Sequence, residues 1–190
     1  GKKYSDLRIL SHRYFNDEQQ VVFSYKNFNY SFTTQLIGKI QIQNILMSIL
    51  AAYKSNLSLK KITNCLQKVR AVPGRLEKIG NLRNNSIVIL DYAHTPEALE
   101  ISLKNIKEQF TLKKITLVFG CGGERDKPKR KSMGIIANKM CEKVYLTDDN
   151  PRDEIPKKIR SQIKSRISRK KLIEIPSRKN AISKAINNLT

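Results

Sequence analysis

The chain reads as an α/β protein built on a Rossmann-like, mostly parallel sheet with flanking helices, and three observations predict this. From Ile87 onward, strand-length apolar runs alternate with helix-length amphipathic stretches. A break carrying both Pro and Gly, Ala71-Val72-Pro73-Gly74-Arg75, separates that half from a first half of different pattern. Three of the strands are followed by polar loops, at the strand ends where open α/β sheets gather their ligands.

In the first half, residues 7–35 read as short strands. Val21–Tyr25 and Phe28–Phe32 flank Lys26-Asn27 as a hairpin. Gln41–Tyr53 places Ile42, Ile45, Leu46, Ile49 and Leu50 at the helical period, and Asn56-Leu57-Ser58 ends it. Ser58 is placed to cap a second helix over Leu59–Val69. In the second half, Ile87–Asp91, Ile115–Gly120, Lys143–Thr147 and Leu172–Ile175 read as strands. Helices are expected over Pro96–Phe110, about 132–140, about 155–167, and from about Arg178 to the end. Pro96 sits at a first helical turn, with Glu97 and Glu100 near its positive end.

The chain has 190 residues, 39% hydrophobic and 28% charged, which allows one large domain or one domain and part of another. Its longest apolar stretches, such as Ile45–Ala52, are too short to span a bilayer, and no signal peptide follows the basic N-terminus. Gly1 in place of an initiator Met suggests a piece of something longer. Cys65, Cys121 and Cys141 lie far apart with no CxxC pair and no His at ligand spacing. That points to a reducing cytoplasm rather than a disulfide framework or a zinc site. The net charge of +21 raises nucleic-acid binding as a reading. Against it, the basic residues run from Lys2 to Lys184 without forming a stripe, and aromatics make up only 7% with no stacking platform.

Three loops carry the polar chemistry. Asp91-Tyr92-Ala93-His94-Thr95-Pro96 places a carboxylate where a ribose diol can be received; a helix cap explains Asp91 equally well. Phe119–Arg130 combines glycines, which admit close backbone approach, with the four basic residues Arg125, Lys127, Lys129 and Arg130. It is neither a Walker A loop nor GxGxxG. Thr147–Glu154 contains Asn150-Pro151, which fixes an extended turn and so the directions of Asn150 and Arg152. Arginine grips a carboxylate bidentately, and Asp149 or Asn150 can receive an ammonium group; together they suit a zwitterionic amino-acid end. The three loops are expected to share one site.

Taken in order, VPGRLE at 72–77, DYAHTPEAL at 91–99, VFGCGGERDKPKR at 118–130 and TDDNPR at 147–152 resemble the Mur ligase family, and within it the members that add meso-2,6-diaminopimelate. The likeness runs from about Leu36 to the C-terminus. It implies that residues 1–74 are the last part of a central ATPase domain and 75–190 most of a C-terminal amino-acid-binding domain. It also implies a reaction in which ATP and Mg²⁺ activate the D-glutamate carboxylate of UDP-N-acetylmuramoyl-L-alanyl-D-glutamate as an acyl phosphate, which the diaminopimelate amine then attacks. Carried over by motif, Asn44, Arg75, Asp91, Tyr92 and His94 lie at the nucleotide. Arg125, Asp149, Asn150, Pro151 and Arg152 hold meso-diaminopimelate, and Lys129 lies near the transferring phosphate as the catalytic cation. Arg152 favours diaminopimelate over lysine, which has no distal carboxylate.

The sequence departs from the family in three ways. Gln41 stands where relatives have Asn. The phosphate loop and the carbamylated lysine, with the metal ligands, are expected before Gly1, and a Gly-Lys-Gly-His-Glu stretch after Thr190. The chain alone is therefore expected to be inactive, cytoplasmic and monomeric, without nucleic-acid or membrane partners. A basic nucleic-acid-binding α/β module and a folate-polyglutamate-type ligase are the alternative readings.

Overall fold

A computed structural model describes residues 7–15, 17–82, 84–124 and 126–189. The chain divides into two compact units, Gly1–Gly80 with Val88–Tyr92 and Asn81–Ile87 with Ala93–Thr190.

The first unit opens with an antiparallel sheet in the order β1 (Leu7–Phe15), β2 (Glu18–Tyr25) and β3 (Phe28–Thr34). Lys26 and Asn27 form the expected turn between β2 and β3 with φ of 48° and 66°, the left-handed pair that matches strand twist in a two-residue hairpin. Alternation puts Val21, Phe23 and Tyr25 on one face, where they bury against Ile42, Ile45 and Ile49 of helix α1 (Lys39–Lys54). Burial of each such side chain stabilises the unit by about 1.5–3 kcal/mol. Gln19, with no exposed surface, fixes the approach to α1: its amide donates to the carbonyls of Leu36 (2.7 Å) and Gly38 (3.1 Å), and its oxygen meets His12 Nε2 at 2.8 Å.

Ser58 caps the next helix as predicted, accepting from the Lys61 amide, but α2 covers only Leu59–Cys65. Leu66–Lys68 tightens into a 3₁₀ turn. Thr63, Asn64 and Cys65 are weak helix formers, so the last turn contracts where tertiary packing does not support it.

The strand expected at Ile87–Asp91 forms as β5 (Ile87–Leu90), but it pairs with β4 (Glu77–Asn81), an element not foreseen. Turn chemistry explains this. Leu82 N donates to Ser86 O (2.8 Å), Ser86 N to Asn84 Oδ1 (3.1 Å), and Asn85 adopts φ 60°. The chain doubles back here, and β5 meets the segment just before it.

In the second unit the parallel sheet holds β6 (Thr116–Phe119), β7 (Lys143–Leu146) and β8 (Leu172–Glu174) in that order. On one face it packs against α3 (Pro96–Gln109), α4 (Pro128–Met140) and α5 (Pro156–Lys164) through Leu99, Leu103, Met133, Ala137, Ile159 and Ile163. On the other face Tyr145 packs on Ala181 and Ala185 of α6 (Arg178–Asn187). This is the predicted α/β layering. The register pairs Phe119 with Leu146, so the loops leaving β6 and β7 emerge side by side at their carboxyl ends.

Candidate functional site

Two of the three polar loops meet within the second unit. Gly123 N donates to the Asn150 carbonyl at 2.8 Å, and Glu124 N to Glu154 Oε1 at 2.6 Å. The glycines are required by proximity: a Cβ on Gly120 would overlap the Thr147 carbonyl, and one on Gly123 the Pro151 carbonyl. Asn150 Oδ1 accepts from the Arg152 amide at 3.3 Å, an Asx turn closed around Pro151. Arg152 takes φ 48° there, and its Nη1 donates to the Gly123 carbonyl. Its guanidinium thus lies along the glycine loop. Arg125, the second arginine expected at this pocket, lies outside the described residues.

Asp149 is half-exposed, and one of its oxygens lies 3.5 Å from Arg178 Nη2 at the start of α6. Asp148 is held from beneath by Arg160, which also binds Glu174 through Nε at 2.8 Å. Lys164 first, then Arg160, hold the Glu174 carboxyl below the usual carboxylate range against its desolvation. Lys129 extends from the first turn of α4 and donates from Nζ to the His94 carbonyl at 3.1 Å. The expected cation therefore touches the first of the three loops at His94. Cys121 is buried beside Met133 Sδ at 3.6 Å, and desolvation pushes its thiol up to about 11, so it offers no nucleophile.

Arg130 corrects the sequence reading, which counted it among four cations offered to a ligand. It is fully buried on the apolar stripe of α4 with Met133, Gly134 and Ala137, at spacings of three, four and seven. Its Nη1 donates to Glu154 Oε2 (2.9 Å) and Gln162 Oε1 (2.8 Å), and its Nη2 to Glu154 Oε1 (2.8 Å) and the Gly122 carbonyl (3.1 Å). Arg130, together with the Glu124 amide, pulls the Glu154 carboxyl down to about 2. The stripe spacing was the available signal: an arginine at a core position demands a buried acid. Glu154, Arg160 and Arg178 were missed as well, because each owes its role to a partner distant in sequence.

In the first unit, Gln41 links two of the residues expected at the nucleotide, Asn44 and Arg75, and Tyr92 and Asp91 lie beside them. Asn44 Nδ2 donates to Gln41 Oε1 (3.1 Å), and Gln41 Nε2 to the Arg75 carbonyl (3.4 Å). The Arg75 guanidinium lies 4.9 Å from the centre of the Tyr92 ring, and Asp91 Oδ1 accepts from the Leu76 amide at 2.9 Å. Asn44, Arg75 and Tyr92 are exposed.

The sequence profile described as "Mur ligase, glutamate ligase domain" matches residues 74–190. The chain belongs to the Mur ligase family. The chain is 45% identical over 174 residues to the UDP-N-acetylmuramoyl-L-alanyl-D-glutamate–2,6-diaminopimelate ligase of Rickettsia bellii, covering 90% of this chain and 35% of that protein. The enzyme of the same name from Buchnera aphidicola is 42% identical over 154 residues, 80% of this chain and 30% of the relative. This Mur ligase chain thus spans about a third of the length of the curated relatives it matches. A solved UDP-N-acetylmuramoyl-L-alanyl-D-glutamate–2,6-diaminopimelate ligase superposes with a TM-score of 0.71 at 29% identity, over 100% of this chain and 39% of that one. The folylpolyglutamate synthase of Mycobacterium tuberculosis, solved with ADP, shares the fold with a TM-score of 0.77 at 18% identity, over 97% of this chain and 41% of its own.

Proposed function

We propose that a longer protein carrying this chain is an ATP-dependent ligase that joins meso-2,6-diaminopimelate to UDP-N-acetylmuramoyl-L-alanyl-D-glutamate in peptidoglycan synthesis. In this reading residues 1–74 close a central ATPase domain and 75–190 receive the amino acid. The observation that carries it is the Asn150-Pro151-Arg152 turn fixed against the glycine loop, with the Arg152 guanidinium held on the Gly123 carbonyl. Arg152 grips the distal carboxylate of the diamino diacid, Asp149 and Asn150 receive its ammonium group, and Arg125 adds a second cation for a carboxylate.

ATP supplies the activation of the accepting carboxylate. Asp91, at the end of β5, is the type of group that receives a ribose diol, and the Arg75–Tyr92 pair offers a cation and an aromatic surface nearby in the same unit. Lys129 neutralises charge as phosphoryl transfer proceeds. Among the described residues no group of three or more His, Cys, Asp or Glu could hold a metal ion. No helix among the described residues is long and apolar enough to cross a membrane. Precursors linked to a nucleotide and a reaction driven by ATP both fit the cytoplasm.

The test is phosphate release by the full-length protein with ATP and the muramoyl dipeptide, with diaminopimelate or lysine added. Release is expected with diaminopimelate only. Arg152→Ala should lower kcat/KM for diaminopimelate by about 10- to 100-fold, the loss of one charge-assisted contact. Equal use of lysine would overturn the substrate assignment, and no release with either would overturn the reaction.

A further inference from the structure

Arg130 and Glu154 occupy a place that no ligand contact explains. The arginine is wholly buried at the start of α4, and the glutamate lies 24 residues on, at the end of the loop that follows β7. Between them they touch each strand of the turn system. Arg130 holds the Gly122 carbonyl, while Glu154 Oε1 takes the Glu124 amide and Glu154 N donates to the Pro151 carbonyl at 3.0 Å. Both neighbouring strained residues are fixed this way. Glu124 has φ 52° and Arg152 φ 48°, conformations that side chains other than glycine avoid unless the surroundings enforce them. The Glu124 amide is bound directly by Glu154. The Arg152 guanidinium rests on the carbonyl of Gly123, the residue between the two anchored positions.

A buried ion pair placed for stability alone has a cheaper substitute, since apolar residues of similar volume often do as well or better. Here the pair spans two loops, and of its remaining side-chain bonds two go to loop backbone, the Gly122 carbonyl and the Glu124 amide, and one to the Gln162 side chain of α5. Within the pair, the Arg130 Nε has no hydrogen-bond partner among the described residues. The arrangement supplies orientation rather than cohesion. We propose that Arg130 and Glu154 are a positioning pair for amino-acid recognition, setting the Gly122–Glu124 backbone and through it the direction of Arg152. This rests on the ligase reading, because the pair touches no substrate and acts only through residues assigned to it.

The experiment uses the full-length protein and three variants: Glu154→Gln, which keeps an acceptor for the Glu124 amide but loses the charge; Glu154→Ala; and the double change Arg130→Met with Glu154→Gln. The double variant leaves no buried charge unpaired, so it keeps the test readable if Glu154→Gln or Glu154→Ala alone, which strands the buried Arg130 guanidinium, unfolds the protein. Hydrogen exchange reads the strap directly. The amides of Gly123 and Glu124 should lose protection in the Ala and double variants while those of β6 and β7 keep theirs. Kinetics read its consequence: KM for diaminopimelate should rise roughly tenfold or more, in the order Gln, then Ala and double, with KM for ATP unchanged.

Unchanged protection at Gly123 and Glu124 in a folded variant would overturn the proposal. So would a KM for diaminopimelate equal to that of the parent, or a parallel rise in every KM that follows loss of folded protein. If the parent protein itself ignored diaminopimelate, the ligase reading would fall and the recognition role with it. The exchange result would still separate that outcome from a strap that does not exist.

Discussion

The two clusters of expected site residues are held by different means. In the first unit, Gln41, Asn44, Arg75 and Tyr92 are joined by hydrogen bonds of 3.1 and 3.4 Å and by a cation–aromatic contact, with Asn44, Arg75 and Tyr92 exposed to solvent. In the second unit, the glycine loop and the Asn-Pro-Arg turn are in backbone contact, clamped by an arginine with no exposed surface. Exposed polar contacts exchange readily with water and contribute little each, whereas a buried charged clamp cannot slip without leaving a charge stranded. The first arrangement can adjust to a ligand, and the second is set before a ligand arrives. This suits the proposed division of labour: a nucleotide is held by many contacts, but an amino acid of defined geometry is selected by few.

The comparison breaks most sharply at Gly123. A methyl group there would overlap the Pro151 carbonyl, backbone against backbone, so the two loops must part. Gly123→Ala is expected to lower kcat/KM for diaminopimelate by about 100-fold or more, since a displacement near 1 Å costs that much in a positioned site. KM for ATP should hold, and circular dichroism should report an intact sheet. An unaffected kcat/KM for the amino acid would mean that contact between the loops is not what organises recognition.

Acid separates the units next. Glu154 titrates at about 2 in the folded protein, held down by Arg130 first and by the Glu124 amide second. An unfolded glutamate titrates near 4.3. Because the folded value is the lower, the unfolded chain binds the proton first. The stabilisation is therefore complete above about pH 4.3 and disappears as pH falls towards 2. Urea unfolding followed across that window should show stability falling more steeply in the parent than in Glu154→Gln, with the two slopes alike above pH 5. Equal slopes in the window would mean that the clamp is not ionised as described.

Much of the framework could be read from residues near in sequence. Ser58 announced its helix, Lys26-Asn27 their hairpin, and Ile42, Ile45 and Ile49 their buried face, since each signal acts within a turn or two. The strand–helix alternation after Ile115 fixed the layering for the same reason. What escaped was the choice of distant partners. Ile87–Leu90 was foreseen as a strand, but its neighbour was decided by Asn84 and Asn85 turning the chain back. Arg130 counts in sequence among four basic residues that a glycine loop offers to a ligand; only the core register of Met133, Gly134 and Ala137 places it inward. Glu154 sits among polar residues of a loop, and nothing local distinguishes it from Asp153 beside it.

The smallest effect is expected in the first unit, at the residue that departs from the family pattern. Gln41 accepts from Asn44 and reaches the Arg75 carbonyl, which its longer side chain permits. Gln41→Ala frees both groups to water, and each exposed hydrogen bond is worth about 0.5–1.5 kcal/mol at most. KM for ATP in the full-length protein should rise by roughly two- to tenfold, while KM for diaminopimelate stays level. Gln41→Asn should fall between the parent and the alanine variant, because the shorter amide keeps its polarity near Asn44 but is one methylene further from Arg75. If the alanine variant instead impaired amino-acid use as strongly as Gly123→Ala, the nucleotide-side residues would be setting the recognition turn, and the contrast between an adjustable cluster and a pre-set one would be lost.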